Sequence, residues 1–209
     1  MSLVELISEA DERGLAVSGL ACLDRCVSLL GGDDELLRPL WAVLSAGGDA
    51  GQWGERVDLV RTALAEATAG GECATEDEAG DLALRMLADA PVALPYALRG
   101  GDAPDPGLRT WADDCSLASL RIHLLLDPAR DGVAEGAVAD SVDEPLVAAR
   151  EDRAAELPPL AAAELRRQQT TLELVAARGT GGMRQAHAVT TEGRRVLRAV
   201  VSRRARGRN

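Results

Sequence analysis

Residues 111–125, WADDCSLASLRIHLL, decide the fold class. Trp111, Cys115, Ala118, Ile122 and Leu125 recur at alternating four- and three-residue intervals, which places them on one seam of an α-helix. Leu117, Leu120 and Leu124 widen that face, so this segment is expected to be the most buried helix of the chain. Working outward, Trp53, Val57, Val60, Leu64 and Ala67 repeat the spacing, and Ala79, Leu82, Met86 and Ala90 form a further stripe closed by Pro91. Near the start, Leu3, Leu6, Ile7 and Ala10 share one helical face, and Leu20, Leu23, Val27 and Leu30 another. No stretch alternates at period two for long enough to argue a strand. The expected fold is all-α, a multi-helix bundle with a C-terminal helical extension.

The helix boundaries are written in caps and breakers. Ser2 with Glu5, Thr75 with Glu78 and Ser141 with Glu144 are capping boxes. Gly14 and the glycine pairs at 31–32, 47–48, 70–71, 100–101 and 181–182 read as stops. Pro39 would clash inside a helix begun at Asp34, so that helix either kinks or starts near Arg38. The organisation read from these signals is a helical core over 1–127, a small, acidic, flexible linker over 128–140, a helical extension over 141–178 and a basic tail over 179–209. Within the tail, 179–189 reads as a mobile linker and 190–206 as a short basic helix.

Composition narrows the chemistry. The apolar content is almost all Leu, Ala and Val, with no Phe and two Ile, which suits packed helices better than sheets. Lys is absent and Asn occurs only at Asn209, a bias toward GC-rich codons that points to a bacterium of the actinobacterial kind. Without lysine there is no Schiff-base amine and no phosphate-loop lysine, which excludes pyridoxal and common ATP-dependent mechanisms. Residues 183–209 carry eight Arg against Glu192 alone, +7, so −18 of the net −11 falls on residues 1–182. An acidic body disfavours nucleic acid and anionic membrane, and no apolar run is long enough to span a bilayer. The acidic start MSLVELISEA lacks a basic leader, and Cys22, Cys26, Cys73 and Cys115 are expected as reduced thiols, so the chain is read as cytoplasmic.

Several constellations are candidates for chemistry. Cys22 and Cys26 lie one helical turn apart, as two ligands of a metal would, although small buried residues have the same pattern. Ser119, His123 and Asp127 follow one another at i, i+4 and i+8, a hydroxyl–imidazole–carboxylate line along one ridge. A mid-helix serine has no free backbone N–H groups to build an oxyanion hole, so the line reads more readily as the polar edge of a buried helix than as a catalytic site. The acidic clusters match no calcium loop. Neither a metal nor a cofactor is expected. Residues 164–176, ELRRQQTTLELVA, resemble the N-terminal helix of serine hydroxymethyltransferases, which are pyridoxal phosphate enzymes. The position of that family's catalytic glutamate holds Arg178 and no lysine exists to hold the cofactor, so the resemblance carries no activity here.

Three functions remain. The first is a non-enzymatic protein-interaction or regulatory module, contacting a protein partner or a second copy through Trp41, Trp53 and Trp111 and through Arg194, Arg195 and Arg198. The second is a helical enzyme acting on a small molecule through His123 and nearby carboxylates. The third is nucleic-acid association, expected only through the arginines of 183–209, which lack interleaved aromatic residues for base stacking. A pocket around His123 would favour the enzyme, and an exposed apolar patch near the tryptophans the interaction module.

Overall fold

Ser2 and Glu5 open the first helix as their spacing predicts. The Glu5 backbone N–H donates to Ser2 Oγ at 3.2 Å and the Ser2 N–H donates to Glu5 Oε2 at 2.8 Å, satisfying two donors near the helix start. The computed structural model describes residues 1–32, 35–47, 50–69, 78–92, 94, 105–128, 143–153 and 155–207. Helix α1 spans Leu3–Glu9. It ends earlier than Gly14 because Asp11 competes for the chain: Asp11 Oδ1 accepts from the Gly14 N–H at 2.7 Å and caps α2 (Glu12–Cys26). Gly14 therefore lies in a first turn and stops nothing. A 3-10 turn, Val27–Leu30, follows and closes at Gly31.

Beyond it come α3 (Arg38–Ser45), α4 (Ala50–Ala69), α5 (Glu78–Ala88), α6 (Pro106–Leu125), α7 (Asp143–Arg150), α8 (Pro159–Arg178) and α9 (Thr180–Gly207). Helix α3 begins at Arg38 with Pro39 in its first turn, the unkinked alternative. Thr75, Cys73, Ser141 and residues 129–140 lie outside the described residues. Among the described residues there is no strand, and the chain is an all-α helix bundle.

The helix buried most completely is α2 rather than α6. Its sequence ERGLAVSGLACLDRC turns small or apolar side chains to nearly every side, and a helix apolar all round belongs in a core. All of it but Arg13 is buried, against half of α6. Helices α3, α5, α6, α8 and α9 pack around it. Gly19 allows α6 its close approach, since a Cβ there would sit 2.4 Å from the Trp111 ring. Trp111 in turn meets Trp53 of α4 edge to face, with ring centroids 6.4 Å apart. The stripes Trp53–Val57–Val60–Leu64 and Ala79–Met86–Ala90 face this core as their spacing predicts.

Helices α8 and α9 add Leu160, Leu172, Val175, Met183, Ala186 and Leu197 to the same apolar cluster. A smaller cluster joins Leu120 and Leu124 of α6 to Leu146 of α7 and Ala161 of α8. The expected mobile linker at 179–189 is helical from Thr180 onward, and the break is Gly179 alone, with φ 52°. The pair Gly181–Gly182 is an approach point and not a stop: a Cβ on Gly182 would lie 2.0 Å from the Leu174 carbonyl oxygen. The two C-terminal helices thus form a tight hairpin against α2.

Candidate functional site

Three helices bring polar side chains into the apolar interior at one level. From α2 come Cys22, Arg25 and Cys26, from α6 Ser116, Ser119 and His123, and from α8 Glu164 and Gln168. Each set repeats at three or four residues, so each helix offers one short polar strip on its buried face. All eight side chains are essentially inaccessible to solvent.

Glu164 organises the group. Its Oε1 accepts from Arg25 Nε at 2.9 Å, Arg25 Nη2 at 2.7 Å, Ser119 Oγ at 2.8 Å and Gln168 Nε2 at 2.9 Å. Gln168 continues the network, accepting from Ser116 Oγ at 2.6 Å and donating to the Ser116 carbonyl at 3.2 Å. Burial pushes the Glu164 carboxyl up, but the Arg25 guanidinium beside it, with the Gln168 hydrogen bond, outweighs that and lowers its pKa to about 2. Burial likewise opposes the charge on Arg25, and Glu164 overcomes it, raising the guanidinium pKa further. The pair is therefore an ion pair sealed from water.

The line Ser119–His123–Asp127 does not operate as a relay. Ser119 Oγ donates its hydrogen bond to Glu164, whereas His123 Nδ1 lies 2.7 Å from the Ser119 carbonyl oxygen, which accepts only, so Nδ1 carries the ring hydrogen. Asp127 turns away: its Oδ2 accepts from the Leu160 N–H at 2.7 Å and anchors the start of α8. The carboxylate beside His123 is Glu164, with Nε2 3.4 Å from Oε2. Burial lowers the His123 pKa despite that carboxylate, because Arg25 already balances Glu164 and a protonated ring would add a second cation. His123 is thus a neutral, buried imidazole.

The cysteine pair lacks a metal's surroundings. Cys22 Sγ accepts from Arg25 Nη2 at 3.3 Å, and Cys26 Sγ lies 3.8 Å from Ser119 Oγ. Burial pushes the Cys22 thiol up to about 12 and raises Cys26 and Cys115 as well, so these are unreactive thiols. Among the described residues no group of three or more His, Cys, Asp or Glu gathers as a metal would require. No family model, curated protein or solved structure matches this chain.

The tryptophans expected at a contact surface are core residues. Trp41, Trp53 and Trp111 are at most 5% exposed, and their indole N–H groups donate inward to Asp24 Oδ2, the Pro91 carbonyl and the Met86 carbonyl at 2.8, 2.8 and 2.9 Å. Arg194 is also turned in, donating to Asp24 Oδ1 at 2.5 Å. It ties α9 to α2 while Trp41 ties α3 to the same carboxylate. Arg195 and Arg198 are exposed.

Those two belong to a larger pattern on α9. Arg184, Arg195 and Arg206 are exposed and eleven residues apart, three helical turns, so they fall along one line at intervals of about 17 Å. Exposed Arg198 and Arg203 flank the line, and Glu192 is the single acid of the helix. Among the described residues no helix is long and apolar enough to cross a membrane.

Proposed function

We propose that this chain is a non-enzymatic protein-interaction module whose contact surface is the outward face of α9, and that its partner presents an extended acidic surface. The observation that carries this reading is the division of labour on α9: Arg194 is spent on Asp24 inside, while Arg184, Arg195 and Arg206 stand in line outside. A rigid helix that holds its charges in register loses little entropy on binding and steers an oppositely charged partner. The sealed state of His123, Ser119 and Glu164 supports a module without a reaction centre. The same charges could attract a phosphate backbone, but the acidic remainder of the chain opposes a polyanion of that density.

The test is affinity capture from the source cells with the wild type and with an Arg184→Glu/Arg195→Glu/Arg206→Glu variant, followed by binding of the purified partner. A protein retained by the wild type, released by salt and lost with the variant is the expected result. Retention that ignores the charge reversal would refute the assigned surface, and capture of nucleic acid alone would replace the reading with the nucleic-acid one.

A further inference from the structure

Helix α4 packs chiefly on α3 and α5. Trp53, Val57, Val60 and Leu64 form its buried stripe, and the stripe directly opposite on the helix is Glu55, Leu59, Thr62 and Glu66. All four are exposed, at intervals of four, three and four residues. Leu59, near the middle, is 57% exposed. Glu55 and Glu66 stand at the two ends, eleven residues and about 17 Å apart.

The outward face of α9 repeats these intervals with the opposite charge. Arg184, Ala188, Thr191 and Arg195 make one four-three-four stripe, and Arg195, Ala199, Ser202 and Arg206 continue it. All are exposed except half-buried Thr191. The arginines are therefore spaced as the α4 carboxylates are, and only small side chains lie between them where α4 carries Leu59. Among the described residues, Arg184, Arg195, Arg206, Glu55 and Glu66 make no ion pair. Glu192 and Arg198 flank the arginine line, and Arg56 flanks the α4 stripe.

We infer that the partner of α9 is a second copy of this chain, whose α4 lies along α9 with Glu55 and Glu66 against two consecutive arginines of the line and Leu59 on the small side chains between them. This rests on the reading of α9 as the contact surface and specifies what docks there. The two stripes agree in spacing, sign and relief, which are the properties that set the register of one helix on another. Because the stripes belong to different helices, the contact joins unlike surfaces and is heterologous. The net charge of −11 on each copy opposes association, but at physiological ionic strength that repulsion is screened beyond about 8 Å, whereas the paired charges meet within it.

The experiment is sedimentation equilibrium of the full chain at physiological ionic strength, over concentrations up to about 1 mM. A contact along one helix is small, so the wild type should self-associate with a Kd on the order of 0.1 mM. An Arg184→Glu/Arg195→Glu/Arg206→Glu variant and a Glu55→Arg/Glu66→Arg variant should each self-associate at least about tenfold more weakly, because like charges then face each other. A chain carrying all of these reversals has its charges exchanged and should recover the wild-type association. Every substituted position is exposed, so the variants keep the fold, which circular dichroism checks. A wild type that stays monomeric at about 1 mM, self-association indifferent to either reversal, or a combined variant as weak as its parents would each overturn the second copy as partner. The reading of α9 as a contact surface fails separately, when capture from the source cells ignores the arginine reversal.

Discussion

Replacing Arg25 by Met should destabilise the protein far more than replacing Arg25 and Glu164 together. In the wild type both side chains are fully buried, and Arg25 supplies two of the four donors to Glu164 Oε1. The single variant leaves a carboxylate in the interior with Ser119 and Gln168 as its remaining donors. Removing one partner of a buried ion pair costs about 3–5 kcal/mol, because the other charge stays desolvated without compensation. That is a large part of the roughly 5–15 kcal/mol that holds a typical domain. For a chain of this length it lowers Tm by about 6–20 °C. In an Arg25→Met/Glu164→Met variant the desolvation is removed along with the attraction, so stability returns to within about 1–2 kcal/mol of wild type. Thermal and urea unfolding followed by far-ultraviolet circular dichroism measures both. A double variant as unstable as the single one, or a single variant costing under about 1 kcal/mol, would refute the claim that this pair is sealed from water.

Two further outcomes follow from the same interior. His123 is lowered from 6.5 in the folded state and Glu164 from 4.5 to about 2, so the unfolded chain binds more protons in both windows; stability is fully present above pH 6.5, begins to fall below it as His123 protonates, and falls again between pH 4.5 and 2. A His123→Gln variant should lose the first decline and keep the second, and an unchanged Tm profile between pH 7 and 5 would refute a neutral His123. Separately, Gly19→Ala should cost about 2–3 kcal/mol in urea unfolding despite alanine's better helix propensity, because its Cβ would meet a Trp111 ring 2.4 Å away that is held by Met86; a neutral or stabilising result would show that the ring can move.

The helices themselves were legible because their signals are local. Ser2 and Glu5, the four- and three-residue stripes of α4 and α6, and Pro39 at the head of α3 each act within one or two turns. Misreadings arose where a neighbour overrides the local signal. Gly14 reads as a breaker until Asp11 is seen capping it, and Gly181–Gly182 reads as a stop until α8 lies against it. The site was legible only in part. Ser119 and His123 were found by their ridge, but Glu164 was missed, although Leu160, Glu164, Gln168, Thr171 and Val175 form one buried stripe of α8. Its polar members Glu164, Gln168 and Thr171 made that stripe look weakly amphipathic, when Glu164 and Gln168 were answering Arg25 and Ser116 on other helices. Arginine likewise reads as surface by default, and only the fold distinguishes inward Arg194 from outward Arg195.

An interior made chiefly of leucine, alanine and valine packs almost as well in several alignments, since one methyl-bearing surface resembles another. The oxygen that gathers donors from α2, α6 and α8 removes that degeneracy. Sliding α2 or α8 by a single pitch, about 5.4 Å, would strand a charge in hydrocarbon, and sliding α6 would take the Ser119 hydroxyl from its carboxylate. The cluster thus works as a key cut for one alignment, rejecting near-native misfolds that hydrophobic collapse alone would accept.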